Sequence, residues 1–292
     1  MAPAVGATSV ALEPDRGPAD GGQKTGRSLR ATRQILLIAL FYGVYTLIRD
    51  LRGTRPVSAA TALHNAEDII HLEQALHLFH EAQIQHFFLR DRTWISFLDD
   101  WYGTAHFLVT AAVLVVLFYF FHDRYRRWRN TLAVATGLAL IGFAVFPVMP
   151  PRLLPASFGF TDTLARIGGL WNFETGPMPH LSDQFAAMPS LHFAWALWSG
   201  AAIFALSRRW WTRAIGIGYP AVTLVCVIIT ANHYFADVAA GVVIVVAGYG
   251  AALALERFHH LSPALPAGPA TARPDGPAAA LTGVPEPEQL PG

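Results

Sequence analysis

The chain contains six apolar runs, each close to the length needed to cross a bilayer. They span residues 33–49, 101–121, 130–149, 186–206, 212–230 and 234–255. A transmembrane helix needs about 20 apolar residues. Hydrophobic residues make up 53% of the chain and charged residues only 14%, which excludes an ordinary soluble domain. We therefore predict an all-α integral membrane protein with six transmembrane helices.

The runs divide the chain into a membrane domain and two tails. Residues 28–258 form one six-helix membrane domain. The tails at 1–27 and 259–292 are rich in Gly, Ala and Pro and are predicted to be disordered. The net charge of +1 gives no indication of a nucleic-acid partner.

The segment 56–92 between the first two runs has a different pattern. Apolar residues recur there at helical spacing among acidic residues and histidines: Ile69, Ile70, Leu72, Leu76, Phe79 and Ile84. This pattern predicts an amphipathic helical hairpin that lies at the membrane interface or caps the bundle.

Clusters of arginine predict the orientation of the spans. Arginines are concentrated in 27–33, in a predicted loop at 124–129, and in 208–213. The positive-inside rule places these three clusters in the cytoplasm. Both termini are then cytoplasmic, and the hairpin is extracytoplasmic. We expect a multi-pass protein of the plasma membrane.

A histidine and an aspartate lie four residues apart at the mouth of the last run. On a helix, His233 and Asp237 would share one face. The carboxylate could then accept a hydrogen bond from one imidazole nitrogen and leave the other as a nucleophile or base. The alternative is a buried polar pair that only joins two helices.

Further polar residues are predicted at the same membrane face. His192 follows Ser190 at the start of the fourth run, and a serine cap with free backbone N–H groups favours anion binding. Arg152 follows two prolines at the end of the third run, and its guanidinium suits phosphate oxygens. The alternatives are an interfacial histidine and an arginine that extends to lipid head groups.

Two motifs carry a family resemblance. Ala-Met-Pro-Ser-x-His at 187–192 and His-Tyr-x-x-Asp-x-x-x-Gly at 233–241 resemble the second and third signatures of the type-2 phosphatidic acid phosphatase superfamily. Pro-Pro-Arg at 150–152, with the His-Tyr pair, resembles its inositol phosphorylceramide synthase branch. The resemblance covers about residues 40–255.

The resemblance implies a six-helix membrane enzyme that forms a phosphohistidine. His233 would be the nucleophile, Asp237 its orienting partner, and His192 the proton donor to the leaving group. Arg152 and Ser190 would bind the phosphoryl oxygens.

The chain departs from the phosphatase branch in its cationic residues. That branch begins its first signature with Lys, ends it with Arg-Pro, and has an Arg six residues before the nucleophile, where this chain has Val227. The phosphate site is therefore expected to be less cationic. This favours a phosphodiester or lipid-head-group substrate, or a cation supplied from elsewhere.

Tyr102 and His106 could line a substrate cleft, and the alternative for both is interfacial packing. Glu73 could bind an acceptor hydroxyl at this cleft or simply face water, and Tyr234 is a fourth possible cleft residue. Histidines at 71, 77 and 80 invite a zinc site, but no Cys or second ligand cluster accompanies them. We expect neither a metal nor a cofactor.

These observations predict a lipid phosphatase or phosphotransferase that acts on a lipid phosphate or phosphodiester at the outer membrane face. If water is the acceptor, the enzyme is a phosphatase. A polyol or lipid hydroxyl as acceptor makes it a head-group transferase. The alternative from another class is a proton-coupled transporter, whose ionisable groups should follow a path through the bilayer.

Overall fold

The computed structural model describes residues 58–166 and 185–261, together with Thr32 and Gly43. The two ranges are helical and contain no β-strand. Their helices are α1 (Ala59–Ala75), α2 (Glu81–Phe88), α3 (Arg92–Phe120), α4 (His122–Val145), α5 (Thr163–Arg166), α6 (Leu191–Leu206), α7 (Trp210–Ile229) and α8 (Phe235–Leu261). The predicted all-helical class is confirmed for the described residues.

Four of these helices are long and apolar enough to cross a membrane: α3, α4, α7 and the part of α8 up to Phe258. Helix α6 is apolar but has only 16 residues, or about 24 Å at 1.5 Å per residue, which is shorter than a hydrocarbon core of about 30 Å. The predicted span 33–49 lies outside the described residues, apart from Gly43. The chain is thus a multi-pass membrane protein, and six spans stays a prediction.

Helices α3 and α4 are separated by a single residue, Phe121. Helix α4 already includes 124–129, so the prediction of a loop at these arginines is wrong. Arginine is a good helix former, and this turn packs on the bundle because Trp128 is buried. Arg127 also forms an ion pair with Glu256 on α8 at 2.7 Å. The helix therefore continues beyond its apolar part.

Small residues bring α6 against its neighbours. A Cβ atom on Gly216 of α7 would lie 2.7 Å from the carbonyl oxygen of Gly200 on α6, so the two backbones are in contact in the way that small residues allow. On another side of α6, the buried Trp198 donates a hydrogen bond from Nε1 to the carbonyl oxygen of Trp128 on α4 at 2.9 Å. Both contacts fix the helix that carries His192.

Helices α1 and α2 and the turn between them lie in the predicted hairpin segment, here called the hairpin. The turn between them has His77 in a left-handed conformation, with φ of 55°. Ile69 and Ile70 are buried, as the pattern predicts, whereas Leu72 and Leu76 are more than half exposed. The hairpin packs over the end of the bundle where α8 begins. Its side of the membrane stays a prediction.

The hairpin also holds the segment that follows α4. Asn65 donates from Nδ2 to the carbonyl oxygen of Pro147 at 2.8 Å. The Gln85 side chain pairs with the backbone of Thr161 in both directions, at 2.8 and 2.9 Å. These bonds keep 146–166, and with it Arg152, over the same end of the bundle.

Candidate active site

A tight turn between α7 and α8 presents His233. Ala231 has φ of 52°, an uncommon conformation for a residue with a Cβ atom that persists where its surroundings enforce it. The backbone N–H groups of Asn232 and His233 both donate to the carbonyl oxygen of Val227, at 3.0 and 3.3 Å. His233 therefore lies in this turn, two residues before α8 begins.

The predicted His–Asp pair is nevertheless brought together. Nδ1 of His233 lies 3.3 Å from Oδ2 of Asp237, and the two side chains are 3% and 0% exposed. The same Oδ2 atom accepts a hydrogen bond from the backbone N–H of Tyr234 at 2.9 Å. Asp237 thus reaches back from the first turn of α8, as the second half of a capping box does. Nε2 of His233 has no hydrogen-bond partner among the described residues.

The aromatic rings of His233, Tyr102 and His106 cluster around His192. The ring centroids of His192 and His233 are 5.7 Å apart. Tyr102 of α3 stacks on His192 with centroids 4.1 Å apart, and the His106 ring contacts His192 at 4.2 Å. The structure therefore places Tyr102 beside both predicted catalytic histidines and His106 beside His192.

A narrow crevice opens beside His192, and it is too tight to admit a water molecule. It lies between α3, α6 and α7. Its lining residues are Trp101, Tyr102, His106, His192, Thr223, Cys226 and Val227. Val227, at the position where the phosphatase branch carries Arg, makes this wall uncharged.

Arg152 is bound to the turn that carries His233. Its backbone N–H donates to the carbonyl oxygen of Ala231 at 2.8 Å, and its Nε donates to Oδ1 of Asn232 at 3.0 Å. One terminal nitrogen, Nη1, forms an ion pair with Asp162 at 3.2 Å, and the Arg152 side chain is only 9% exposed. An arginine with so little exposed surface and an acidic partner disfavours the alternative of an interfacial side chain that extends to lipid head groups.

Ser190 caps α6, as predicted. Its hydroxyl oxygen accepts a hydrogen bond from the backbone N–H of Phe193 at 3.3 Å. Its own backbone N–H donates to the carbonyl oxygen of Asp237 at 3.0 Å, so fewer N–H groups are free than predicted. Those of Leu191 and His192 have no acceptor among the described residues. The first turn of α6 thus retains two donors that could bind an anion.

Glu73 and Tyr234, two predicted cleft residues, are buried in the structure. Oε1 of Glu73 accepts a hydrogen bond from the backbone N–H of Ala236 at 2.7 Å. The hydroxyl of Tyr234 donates to the carbonyl oxygen of Met149 at 3.0 Å. The alternative that Glu73 faces water is wrong, because its exposed fraction is 1%. Glu73 is buried because the first N–H groups of α8 have no partner within the helix and its carboxylate binds one of them.

Three polar residues of the site were not singled out from the sequence: Glu81, Asp162 and Asn232. Oε1 of Glu81 accepts a hydrogen bond from the backbone N–H of Phe235 at 3.1 Å. The only sequence signal for Glu81 was its place among the acidic residues of the hairpin. Within 58–166 and 185–261, no three His, Cys, Asp or Glu side chains converge on a point where a metal ion could bind.

A model of one protein family, the PAP2 superfamily, matches residues 67–251. The match covers the whole site described above. The chain belongs to the PAP2 superfamily. Membership indicates a phosphatase or phosphotransferase that acts on a phosphate-bearing substrate, and it confirms the superfamily predicted from the two motifs. The inositol phosphorylceramide synthase-like branch stays a prediction.

No curated protein and no solved structure matches the chain.

Proposed function

We propose that this PAP2 superfamily member transfers a phosphate-containing group of a membrane lipid through a phosphohistidine on His233. The observation that carries the proposal is the difference in hydrogen-bond partners between the two imidazole nitrogens of His233. Nδ1 contacts Asp237 at 3.3 Å, whereas Nε2 has no partner among the described residues. A carboxylate on one nitrogen keeps the lone pair on the other, which suits a nucleophile.

In the first half of the reaction, the lone pair on Nε2 attacks phosphorus and forms a P–N bond. The P–O bond to the leaving group breaks, and the departing oxygen takes a proton from His192. Asp237 stabilises the positive charge that develops on His233. Arg152 and the two unpaired N–H groups at the start of α6 stabilise the phosphoryl oxygens.

In the second half, His192 is neutral and accepts a proton from the acceptor hydroxyl. The acceptor oxygen attacks phosphorus, the P–N bond breaks, and His233 is restored. Water as acceptor gives a phosphatase. A polyol or lipid hydroxyl gives a head-group transferase of the inositol phosphorylceramide synthase type.

The second candidate, head-group transfer, is favoured by the low positive charge of the site. Arg152 is paired with Asp162, and Val227 lines the crevice in place of a cation. A phosphodiester carries one negative charge, whereas a phosphate monoester carries up to two near neutral pH. A site with one paired arginine therefore suits a phosphodiester lipid better than a phosphate monoester.

An active site at the outer membrane face is supported by the distance between the site and the arginine clusters, which lie at opposite ends of α6. His192 is in the first turn of α6, whereas Arg124 donates to the carbonyl oxygen of Ala205 near the end of α6 at 3.2 Å. The positive-inside rule places the arginine end in the cytoplasm. Family membership and the clustering of ionisable groups at one end favour an enzyme over a proton-coupled transporter.

The direct test uses purified protein and labelled lipids. Phosphate monoesters and phosphodiesters of lipids are supplied with and without a polyol, and the products are identified by mass spectrometry. We expect turnover and an acid-labile, base-stable phosphoprotein in the wild type, and neither in His233→Ala. His71→Ala, an exposed histidine on α1, is the matched control and should retain both. A labelled phosphoprotein in His233→Ala would overturn the assignment of the nucleophile.

A further inference from the structure

Two glutamates of the hairpin are buried against the start of α8. Glu73 of α1 is 1% exposed, and Glu81 of α2 is fully buried. Each accepts one hydrogen bond from the backbone of α8. Glu73 accepts from the N–H of Ala236 at 2.7 Å and Glu81 from the N–H of Phe235 at 3.1 Å. Together with Asp237, which accepts from Tyr234 at 2.9 Å, they give three successive N–H groups a separate carboxylate each.

The second carboxyl oxygen of each glutamate needs a hydrogen-bond donor. Oε2 of Glu73 and Oε2 of Glu81 have no donor among the described residues, and their Oε1 atoms accept from the adjacent N–H groups of Ala236 and Phe235. Two buried carboxylates facing each other would repel. One proton between them removes a charge and supplies the missing donor.

Glu73 is the better holder of this proton. Burial, reinforced by the contact with Glu81, raises the pKa of Glu73 to about 9. The titratable groups that face Glu73 are Glu81 on α2, and Asp237 and Tyr234 at the start of α8.

We propose that Glu73 and Glu81 form a proton-sharing carboxyl pair that positions His233 for its reaction. The pair touches no reacting atom. It fixes Phe235 and Ala236, which lie between His233 and Asp237 in the chain. Because Oδ2 of Asp237 contacts both the N–H of Tyr234 and Nδ1 of His233, a shift of this turn rotates the imidazole. This inference rests on the function proposed above.

Substitutions of Glu73 distinguish a role in positioning His233, which affects kcat, from a role in substrate binding, which affects KM. Glu73→Ala removes the acceptor for Ala236, and we expect kcat to fall by up to about a hundredfold, the cost of a small misplacement of a reacting group. KM should stay within about twofold, because Glu73 contacts no substrate. Glu73→Gln can accept from Ala236 and donate to Glu81, so it should retain kcat within about threefold. Asp68→Asn, more than half exposed on the same helix, is the control and should match the wild type.

The pH dependence of kcat distinguishes a positioning role from a purely structural one, because a structural role would leave this pH profile unchanged. We expect the wild-type kcat to decline above about pH 9 as Glu73 loses its proton. Glu73→Gln has no such proton, so this decline should be absent. Thermal unfolding of both proteins at each pH checks that the folded fraction is the same.

The outcomes separate this inference from the proposed function. If wild-type turnover depends on His233 but folded Glu73→Ala matches the wild type in kcat, the positioning role is wrong. If Glu73→Ala does not fold, the pH profile of Glu73→Gln decides, and an unchanged alkaline decline overturns the inference. If the wild type and His233→Ala are equally inactive on all the lipids, the proposed function itself is wrong.

Discussion

Arg152 donates a hydrogen bond from Nε to Oδ1 of Asn232 at 3.0 Å, across 80 residues of sequence. Asn232 immediately precedes His233 in the turn between α7 and α8. The residue predicted to bind phosphate is therefore also attached to the turn that presents the predicted nucleophile. We therefore propose that Arg152 couples phosphate binding to the position of His233.

The first prediction follows from this coupling. Arg152→Ala should lower kcat/KM by about ten- to a few hundredfold, which corresponds to the loss of about 1.5–3 kcal/mol from a charge-assisted hydrogen bond in a largely dry site. Arg152→Lys should recover only part of this, because an ammonium cannot replace the planar guanidinium. The comparison is with Arg166→Ala, an exposed arginine on α5. Equally mild effects of the two alanine substitutions would show that Arg152 does not bind the phosphate.

The second prediction concerns the carboxylate that holds His233. Asp237→Asn can still accept from the N–H of Tyr234, so the first turn of α8 should persist and the protein should purify normally. The asparagine cannot stabilise a positive imidazolium, and we expect kcat to fall by about 10²–10⁴-fold, as in other His–Asp systems. Steady-state kinetics beside a thermal unfolding curve check this. A folded variant with near wild-type kcat would leave Asp237 as a structural cap only.

The third prediction concerns the glycine that ends the His-Tyr motif. A Cβ atom on Gly241 of α8 would lie 3.0 Å from the carbonyl oxygen of Ser190, so Gly241→Ala should push α8 away from the start of α6 and lower both Tm and kcat. Gly250 is the matched control in the same helix, because a Cβ atom there meets nothing within 4 Å. Gly250→Ala should stabilise the helix by about 0.5–1 kcal/mol. Equal effects of the two substitutions would contradict the close packing.

The site could be predicted from the sequence where the chemistry lies within a motif. His192, His233 and Asp237 each lie at the end of an apolar run, and the helix bundle brings those ends together. Arg152 and Ser190 reach the same place because they flank these helices. The residues that support them could not be found in this way. Glu81 binds a backbone group 154 residues away, and no periodicity in the sequence records such a contact.

The helix boundaries differ from the prediction for a related reason. Hydropathy identifies where a helix stops being apolar, and a helix can continue beyond that point. Helix α4 begins at His122, before the arginines, because Trp128 is buried there and Arg127 binds Glu256. In the opposite sense, α6 begins only at Leu191, because the Ser190 cap defines its first turn.

The fourth prediction concerns the stability of the fold between about pH 4.5 and pH 9. The pKa of Glu73 is raised from about 4.5 to about 9 in the folded protein, so the folded state keeps a proton that the unfolded state releases above about pH 4.5. Stability must then fall as pH rises from 4.5 towards 9. The Tm of the wild type in detergent should decline over this range, and that of Glu73→Gln should decline less. Parallel Tm curves for the two proteins would show that Glu73 is not protonated in the fold.

The fifth prediction concerns the face of the membrane on which the site lies. Ser157 is exposed in the segment that carries Arg152, and Asp123 is exposed at the opposite end of the bundle, between α3 and the arginines of α4. The single cysteine, Cys226, is buried and donates from Sγ to the carbonyl oxygen of Leu98, so it is replaced by alanine to give a background without thiols. In intact cells, Ser157→Cys should react with a membrane-impermeant thiol reagent, because the positive-inside rule places the arginine end in the cytoplasm. Asp123→Cys should react only after the membrane is permeabilised. The reverse pattern would place His192 and His233 at the cytoplasmic face and restrict the enzyme to lipids of the inner leaflet.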